Sequence, residues 1–208
     1  KNAGILYSIC RYFDDIADKH SQDQSNYLKN SIEEIKNNKN NKVNVFLKKN
    51  NINNAILIDL IDGLILDQKN IRIQNKEELI KYSYHVAGTV GLMMSKILNV
   101  RNKEALKGAI DLGIAMQYTN IARDVCEDKE RNREYIKHDF SSIKTIINQS
   151  EIFYEKSFKS ISSIPLRSRF SVIVARRVYK KIGDYILKKK IQKITIKLEK
   201  YIFQHMKK

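Results

Sequence analysis

The sequence predicts an all-α fold with a single domain over residues 1–208. Gly and Pro are scarce, at 7 and 1 of the 208 residues, and so few turn residues leave little room for a sheet of many strands. Apolar residues recur with helical spacing along most of the chain, without an alternation of strand and helix patterns. Hydrophobic residues make up 42% of the chain, which is enough for one sizeable core.

The apolar periodicity predicts the helices in chain order, beginning with a helix over 1–20 and a short amphipathic helix over 27–36. In the next stretch, 37–54, 13 of the 18 residues are Asn or Lys. This composition predicts a surface loop around the short apolar patch Val43–Leu47. Pro165 suits the first turn of the helix that follows it. Further helices are predicted over 55–68, 77–98, 103–129, 142–160, 166–188 and 190–206, with a loop over 130–140.

Composition excludes several classes of protein. Cys10 and Cys126 are too few for a disulfide framework or a cysteine zinc cluster, and they fit a reducing, cytoplasmic compartment. The four histidines share no ligand spacing, and no apolar run reaches the roughly 18 residues of a membrane span. Because the chain begins at Lys1 inside a predicted helix, we expect its N-terminal part to be missing, so a targeting signal cannot be judged.

The net charge of +16 fits several interpretations. Lys and Arg could meet nucleic acid, acidic lipid or a diphosphate substrate, or the excess could be compositional drift. The basic residues are spread along the chain rather than gathered on one face, so no nucleic-acid partner is expected.

Two of the predicted helices carry a line of polar side chains that ends in two aspartates. At about 100° per residue, the line on the first helix falls within an arc of about 60° and the line on the second within about 80°. Arg123 lies at the edge of the second line. The first line consists of Tyr7, Arg11, Asp14 and Asp18, and the second of Gln117, Asn120, Asp124 and Asp128.

Two carboxylates at i, i+4 repel each other and destabilise a helix unless a cation neutralises them. Mg²⁺ typically takes one or two carboxylates together with phosphate oxygens and waters. Two such helices facing each other would hold Mg²⁺ ions that bridge to a diphosphate, and Arg11, Arg123 and Arg133 would meet the remaining phosphate oxygens. The alternative, which the residues leave open, is a solvated helix face with ordinary aspartates.

The segment from Tyr82 to Gly91 contains two glycines inside a helical pattern. Each Gly costs a helix about 1 kcal/mol relative to Ala. Gly88 and Gly91 therefore indicate the close approach of another helix or of a ligand, and the sequence does not decide between them. His85 is expected to pack or to form a hydrogen bond rather than to act as a base.

Taken together, these residues resemble the squalene/phytoene synthase family, the head-to-head prenyl transferases. Four ordered segments carry the resemblance at compatible spacing. The later segments 165–169 and 175–183 look most like bacterial phytoene synthases. The four segments are 11–18, 82–91, 117–128 and 132–136.

The resemblance implies an isoprenoid synthase bundle of helices around a central hydrophobic cavity. It implies a reaction in carotenoid biosynthesis, in which two geranylgeranyl diphosphates condense through prephytoene diphosphate to phytoene and release diphosphate. The implied cofactor is Mg²⁺, with Mn²⁺ as an alternative, and no NADPH is expected. The family's N-terminal segment is absent from this chain.

The resemblance also assigns roles to residues. The catalytic set is Asp14, Asp18, Asp124, Asp128 and Tyr82. The metal ligands are Asp14, Asp18, Asn120, Asp124 and Asp128. The substrate-binding set is Tyr7, Arg11, Val86, Gly91, Gln117, Asn120, Arg123, Arg133 and Tyr135.

Two other functions stay open within the same family. One is a squalene or dehydrosqualene synthase that uses farnesyl diphosphate, because chain-length selectivity lies in the depth of the cavity. The other is a non-catalytic relative that acts as an assembly factor, although such relatives tend to lose the acids. The basic amphipathic tail 188–208 predicts a peripheral membrane contact or, alternatively, a solvated terminal helix. The oligomeric state is open.

Overall fold

The computed structural model describes residues 1–19, 22–39, 41–68 and 71–205, with side chains up to Lys189 apart from those of Gln22 and Asn41. The predicted all-α fold is confirmed for this part of the chain, where the only extended pairing is an isolated bridge between Arg72 and Glu134. The helices are α1 Asn2–Ala17, α2 Gln22–Lys36, α3 Asn41–Lys49, α4 Asn54–Asp67, α5 Lys76–Ser83, α6 Thr89–Ile97, α7 Lys103–Glu130, α8 Phe140–Lys159 and α9 Leu166–His205.

Asparagine shapes both ends of these helices. At N-termini its side-chain oxygen accepts a backbone N–H, as Asn75 does from Glu78 at 2.9 Å and Asn102 from Ala105 at 3.1 Å. Asparagines that follow helices take up the left-handed conformation, which Asn tolerates better than most residues. These residues are Asn38, Asn51, Asn99 and Asn132, with φ between 53° and 58°.

Two predictions about the helices are wrong. The Asn/Lys-rich stretch forms α3 rather than a loop, because Phe46 and Leu47 are buried in the core and hold a helical turn in place. The helices predicted over 166–188 and 190–206 are one continuous helix, α9. No Gly, Pro or capping residue separates them, so nothing in the sequence ends the first helix.

The core consists of two groups of buried apolar side chains. One group joins α1–α4 with Met93 of α6, and the other joins α5, α7, α8 and Ile186 of α9. The π-helical turn Tyr84–Gly88 and α6 contact α4 on one side and α7 on the other, so they connect the two groups. Within the described residues, no helix is both long and apolar enough to cross a membrane.

The contact of α7 with the π-helical turn and α6 is too close for side chains at two positions. A Cβ at Gly113 would lie 2.9 Å from the Cα of Gly88 and would clash with the carbonyl oxygen of Ala87. A Cβ at Gly91 would clash with the carbonyl oxygen of Ala109. The glycines of this segment therefore serve the packing of one helix backbone against another.

We expect Gly113→Ala to lower the free energy of unfolding by about 1–3 kcal/mol, because overpacking forces backbone shifts. Urea unfolding followed by circular dichroism measures the change. Gly4→Ala is the matched control, because no atom lies within 4 Å of a Cβ there. In that exposed helical position Ala should be neutral or slightly stabilising. An equal response of the two variants would contradict the close contact.

Candidate active site

The first acid pair lies near the C-terminal end of α1. The Arg11 guanidinium contacts Asp14 at 3.0 Å and Asp15 at 2.7 Å. Partial burial raises the pKa of Asp14, the neighbouring carboxylate of Asp18 raises it further, and Arg11 opposes the shift. Asp14 therefore keeps an excess of negative charge around it despite its ion pair.

The second acid pair lies near the C-terminal end of α7. Arg123 forms a fork on Asp124, with Nε and Nη2 each 2.7 Å from a different carboxylate oxygen. Burial raises the pKa of Asp128 to about 6, with a further rise from Asp124 and an opposing effect of Arg133. Each predicted pair thus has one acid in an ion pair with an arginine, Asp14 with Arg11 and Asp124 with Arg123. The acid whose pKa is raised is Asp14 in the first pair and Asp128 in the second.

Arg133 connects the two pairs. The left-handed Asn132 ends α7 and turns the chain, so that the backbone N–H of Arg133 donates to the carbonyl of Asp128 at 2.8 Å. The Arg133 side chain is buried and acts electrostatically on both Asp128 and Asp14. The next residue, Glu134, exchanges backbone hydrogen bonds with the segment 71–73, which fixes this loop beside the end of α4.

A third acid, Asp67, lies at the end of α4 and was missed by the sequence reasoning. Its carboxylate accepts hydrogen bonds from the hydroxyls of Tyr82 at 2.8 Å and Tyr135 at 2.7 Å. Burial raises the pKa of Asp67, while these hydroxyls and Arg133 oppose the rise. Burial also raises the pKa of both tyrosines, with the Asp67 charge as the next cause. The cluster therefore consists of two neutral tyrosines whose hydroxyl groups donate hydrogen bonds to one carboxylate.

A cavity of about 250 Å³ begins at the first acid pair and extends between α1, α4 and the segment 86–90. Its polar end carries Arg11 and Asp14. The predicted substrate-binding residues Tyr7 and Val86 both line it, and Tyr7 is 67% exposed. The remaining lining residues are Cys10, Leu60, Leu64 and Val90.

A second cavity, of about 360 Å³, lies beside Arg133. It has a basic lining, in which Arg72 and Lys129 are cations that the sequence reasoning did not single out. These two cations are recognised only in the structure, where they lie next to the loop that carries Arg133. The other lining residues are Asn132, Glu134 and His138.

The remaining predicted residues lie on α6 and α7. The side-chain amide of Asn120 donates to Gln117 at 3.4 Å, and its buried oxygen has no hydrogen-bond partner among the described residues. Gly91 packs against α7 and also borders an apolar cavity of about 90 Å³. The packing explanation for Gly91 is thus observed, and its role in substrate binding stays a prediction.

The donor set suits a hard divalent cation. Carboxylates with under-compensated charge and the unpartnered oxygen of Asn120 are the oxygen ligands that Mg²⁺ prefers. Within the described residues, no group of three or more His, Cys, Asp or Glu side chains is placed to hold one metal ion. Mg²⁺ typically takes one or two carboxylates and draws its other ligands from substrate or water.

Comparison with known proteins identifies the family. The squalene/phytoene synthase family matches residues 1–140 of the chain, a span that includes both acid pairs, Tyr82, Arg133 and Tyr135. The chain belongs to the squalene/phytoene synthase family. It is 34% identical over 150 residues to the 15-cis-phytoene synthase of Enterobacter agglomerans, an alignment that covers 62% of this chain and 51% of the relative. The chain thus spans about half the length of the curated relatives it matches.

Solved structures of the family share this fold. A dehydrosqualene synthase in complex with ligand superposes with a TM-score of 0.76 at 26% identity, covering 86% of this chain and 74% of the other. The squalene synthase HpnC from Alicyclobacillus acidocaldarius superposes with a TM-score of 0.79 at 17% identity, covering 88% and 81%. The expected isoprenoid synthase bundle is therefore confirmed.

The raised pKa of Asp128 has a consequence for stability. Because its pKa rises from 3.8 to about 6 on folding, the folded state binds more protons than the unfolded state in that range. This contribution to stability is fully present below pH 3.8 and is lost as the pH rises through about 6. Without divalent cations, we expect Asp128→Asn to gain stability relative to wild type as the pH rises through this window, and no further above it.

Urea unfolding of both proteins in a chelating buffer at several pH values tests this expectation. Asp139→Asn is a control of opposite sign, because the backbone N–H of Ser142 lowers the pKa of Asp139. Its contribution to stability is present at neutral pH and is lost as the pH falls. A pH-independent difference between Asp128→Asn and wild type would contradict the burial of Asp128.

Proposed function

We propose that the protein is a prenyltransferase that condenses two geranylgeranyl diphosphates head to head, through prephytoene diphosphate, to phytoene. The observation that carries this proposal is the presence of two acid pairs, each with an arginine in an ion pair, and of a cavity with apolar walls that begins at the first pair. The sequence similarity to phytoene synthases supports the choice of product.

Mg²⁺ would be held at the two pairs, by Asp14 and Asp18 on α1 and by Asp124, Asp128 and Asn120 on α7. When bound, it neutralises the diphosphate and makes it a better leaving group. The acids of this chain then have opposite charges beside them, which opposes the burial and the carboxylate repulsion that raise the pKa of Asp14 and Asp128.

The arginines of the site would bind the diphosphate directly. Arg11 and Arg123 lie beside the acids on each helix, and Arg133 acts electrostatically on one acid of each pair. Guanidinium groups bind phosphate oxygens through two parallel hydrogen bonds, so they orient the leaving group as well as neutralising it. Arg72 and Lys129 line the second cavity together with Arg133 and add positive charge there.

The walls of the cavity would protect the allylic cation that ionisation leaves. Leu60, Leu64 and Val90 exclude water from it. The ring faces of Tyr7 and Tyr82 would stabilise positive charge, by about 2 kcal/mol or more where the ring is desolvated. Tyr7 lines the cavity, whereas Tyr82 is not among its lining residues. The Tyr82 ring is buried and one of its faces is stacked on Tyr135 with centroids 4.7 Å apart, so the other face is the one that would meet the cation.

A second candidate is a squalene or dehydrosqualene synthase that uses farnesyl diphosphate. The 26% identity to a dehydrosqualene synthase, over 86% of this chain, favours it. The non-catalytic alternative is disfavoured by the presence of all four acids in two connected pairs.

The deciding experiment supplies the natural full-length protein with Mg²⁺ and radiolabelled geranylgeranyl or farnesyl diphosphate, with and without NADPH. Chromatography and mass analysis identify the hydrocarbon. Phytoene from geranylgeranyl diphosphate without a reductant supports the proposal. Squalene or dehydrosqualene from farnesyl diphosphate would move the protein to the second candidate, and a folded protein without product would favour the non-catalytic relative.

We expect Asp14→Asn and Asp124→Asn each to lower turnover by roughly 10²-fold or more, because each removes a metal ligand rather than a core contact. Steady-state rates test this, and far-ultraviolet circular dichroism should show unchanged helix content. Asp62→Asn, on an exposed position of α4, is the matched control and should keep the wild-type rate. Near-normal turnover of either site variant would rule out its assigned role.

A peripheral membrane contact through the tail 188–208 is a further proposal, and most of this tail lies outside the residues whose side chains the structure describes. Its support is the basic amphipathic sequence. Co-sedimentation with acidic vesicles should fall when the tail is removed. Binding that does not change on removal would contradict the proposal.

A further inference from the structure

We propose that Asp67 is a positioning residue, which fixes the hydroxyl groups of Tyr82 and Tyr135 for the condensation reaction. The inference rests on the proposed function, because it assigns Asp67 a part in that chemistry. It adds a residue that belongs to neither acid pair and that no sequence motif indicated.

The geometry that carries the inference is a three-residue hydrogen-bonded cluster. Tyr135 Oη lies 2.7 Å from Asp67 Oδ1, and Tyr82 Oη lies 2.8 Å from Oδ1 and 3.0 Å from Oδ2. The two hydroxyl oxygens are 3.0 Å apart. The two tyrosine side chains are 5% and 6% exposed and their rings are stacked, so neither hydroxyl is open to bulk water.

The number of protons defines how the hydroxyls are oriented. Each hydroxyl has one proton to donate, whereas an ionised carboxylate only accepts. Hydrogen bonds to a charged acceptor are the stronger ones, so both hydroxyl protons point toward Asp67. The lone pairs of the hydroxyl oxygens then point away from it. An apolar residue at position 67 would remove the acceptor that the two hydroxyls share and leave the 3.0 Å contact between them, in which one hydroxyl donates to the other.

The location of the cluster connects it to the chemistry. Asp67 interacts electrostatically with Arg133 and with Asp14, and Asp128 is affected by Asp67 in turn. A buried carboxylate close to two other acids is unfavourable unless hydrogen bonds and a cation compensate it. The tyrosine hydroxyls and Arg133 supply this compensation. Asp67 therefore ties the orientation of Tyr82 to the end of the site where the leaving group would lie.

The structure supplies a matched control on the same helix. Tyr84 Oη donates to Asp59 Oδ2 at 3.0 Å, so Asp59 and Tyr84 form the same type of bond between α4 and the segment that follows α5. Neither residue belongs to the predicted site. A merely structural contribution of an Asp–Tyr bond should therefore appear equally in both pairs.

The experiment compares two double-mutant cycles in the full-length protein. One cycle combines Asp67→Asn with Tyr82→Phe, and the other combines Asp59→Asn with Tyr84→Phe. Turnover and KM for the allylic diphosphate are measured for every variant, together with urea unfolding. Asp67→Leu, which has a similar volume but no acceptor, is a second variant in case the amide keeps the tyrosines in place.

We expect Asp67→Asn or Asp67→Leu to lower kcat by about tenfold or more, with KM changed by less than about threefold, because the loss affects the reacting groups rather than ground-state binding. Tyr82→Phe should add little to the loss in either Asp67 background. The Asp59–Tyr84 cycle should couple in the free energy of unfolding but leave kcat within about twofold of wild type.

The outcomes separate this inference from the proposed function. An active wild type whose Asp67 variants keep normal kcat, or whose losses at Asp67 and Tyr82 multiply independently, would overturn the role of Asp67 alone. A wild type that makes no hydrocarbon from either diphosphate would overturn the proposed function, and the positioning role with it. Loss of kcat in both cycles would show that Asp67 has a structural role only, and would overturn the positioning role.

Discussion

The close contact between α7 and the segment 84–97 is the constraint on which the rest of the site depends. The two backbones approach so closely that Gly113 and Gly91 have no room for a Cβ. Beyond this contact, α7 carries the second acid pair, and the segment is preceded by Tyr82 and contains Val86. The contact therefore fixes how far the acids lie from the tyrosine and from the cavity wall. The π-helical turn over 84–88 changes the phase of the helix between them.

The charges of the site are balanced within the protein only in part. The arginines that we expect to meet phosphate are paired with the acids that we expect to hold metal, Arg11 with Asp14 and Arg123 with Asp124. Ion pairs this exposed contribute only about 0–1 kcal/mol, so little stability is lost when partners change. Arg133 differs because it is buried, and its position is set by the backbone at the end of α7. Arg11 and Arg123 can thus exchange a carboxylate partner for a phosphate, whereas Arg133 stays in one position.

Sequence reasoning found the parts of this site that a single helix displays. Spacing on one helix face was enough to predict the two acid pairs of Asp14 with Asp18 and Asp124 with Asp128, whose roles as metal ligands stay a prediction. Asp67 was out of reach, because it ends an apolar run and its partners come from α5 and from the loop after α7.

The dependence on contacts between distant parts of the chain also explains the wrong predictions about the fold. In α3 a low-complexity composition concealed two core residues, Phe46 and Leu47, whose burial depends on neighbouring helices. For Gly91 the sequence leaves open whether a helix or a ligand approaches, since it shows the missing side chain but not the group next to it. Tertiary contacts decided each of these points.

Among the described residues, asparagines occupy the positions with a positive φ, and glycines occupy the closest contacts between helix backbones. None of the described glycines has a positive φ, and the described residues that do are all asparagines that follow helices. Gly91 and Gly113 instead lie where a neighbouring backbone excludes a Cβ. A helical protein can thus drift toward an asparagine-rich composition and keep well-formed helix ends. At close contacts such as Gly91 and Gly113 glycine then has no substitute, since asparagine can replace its conformation but not its small size.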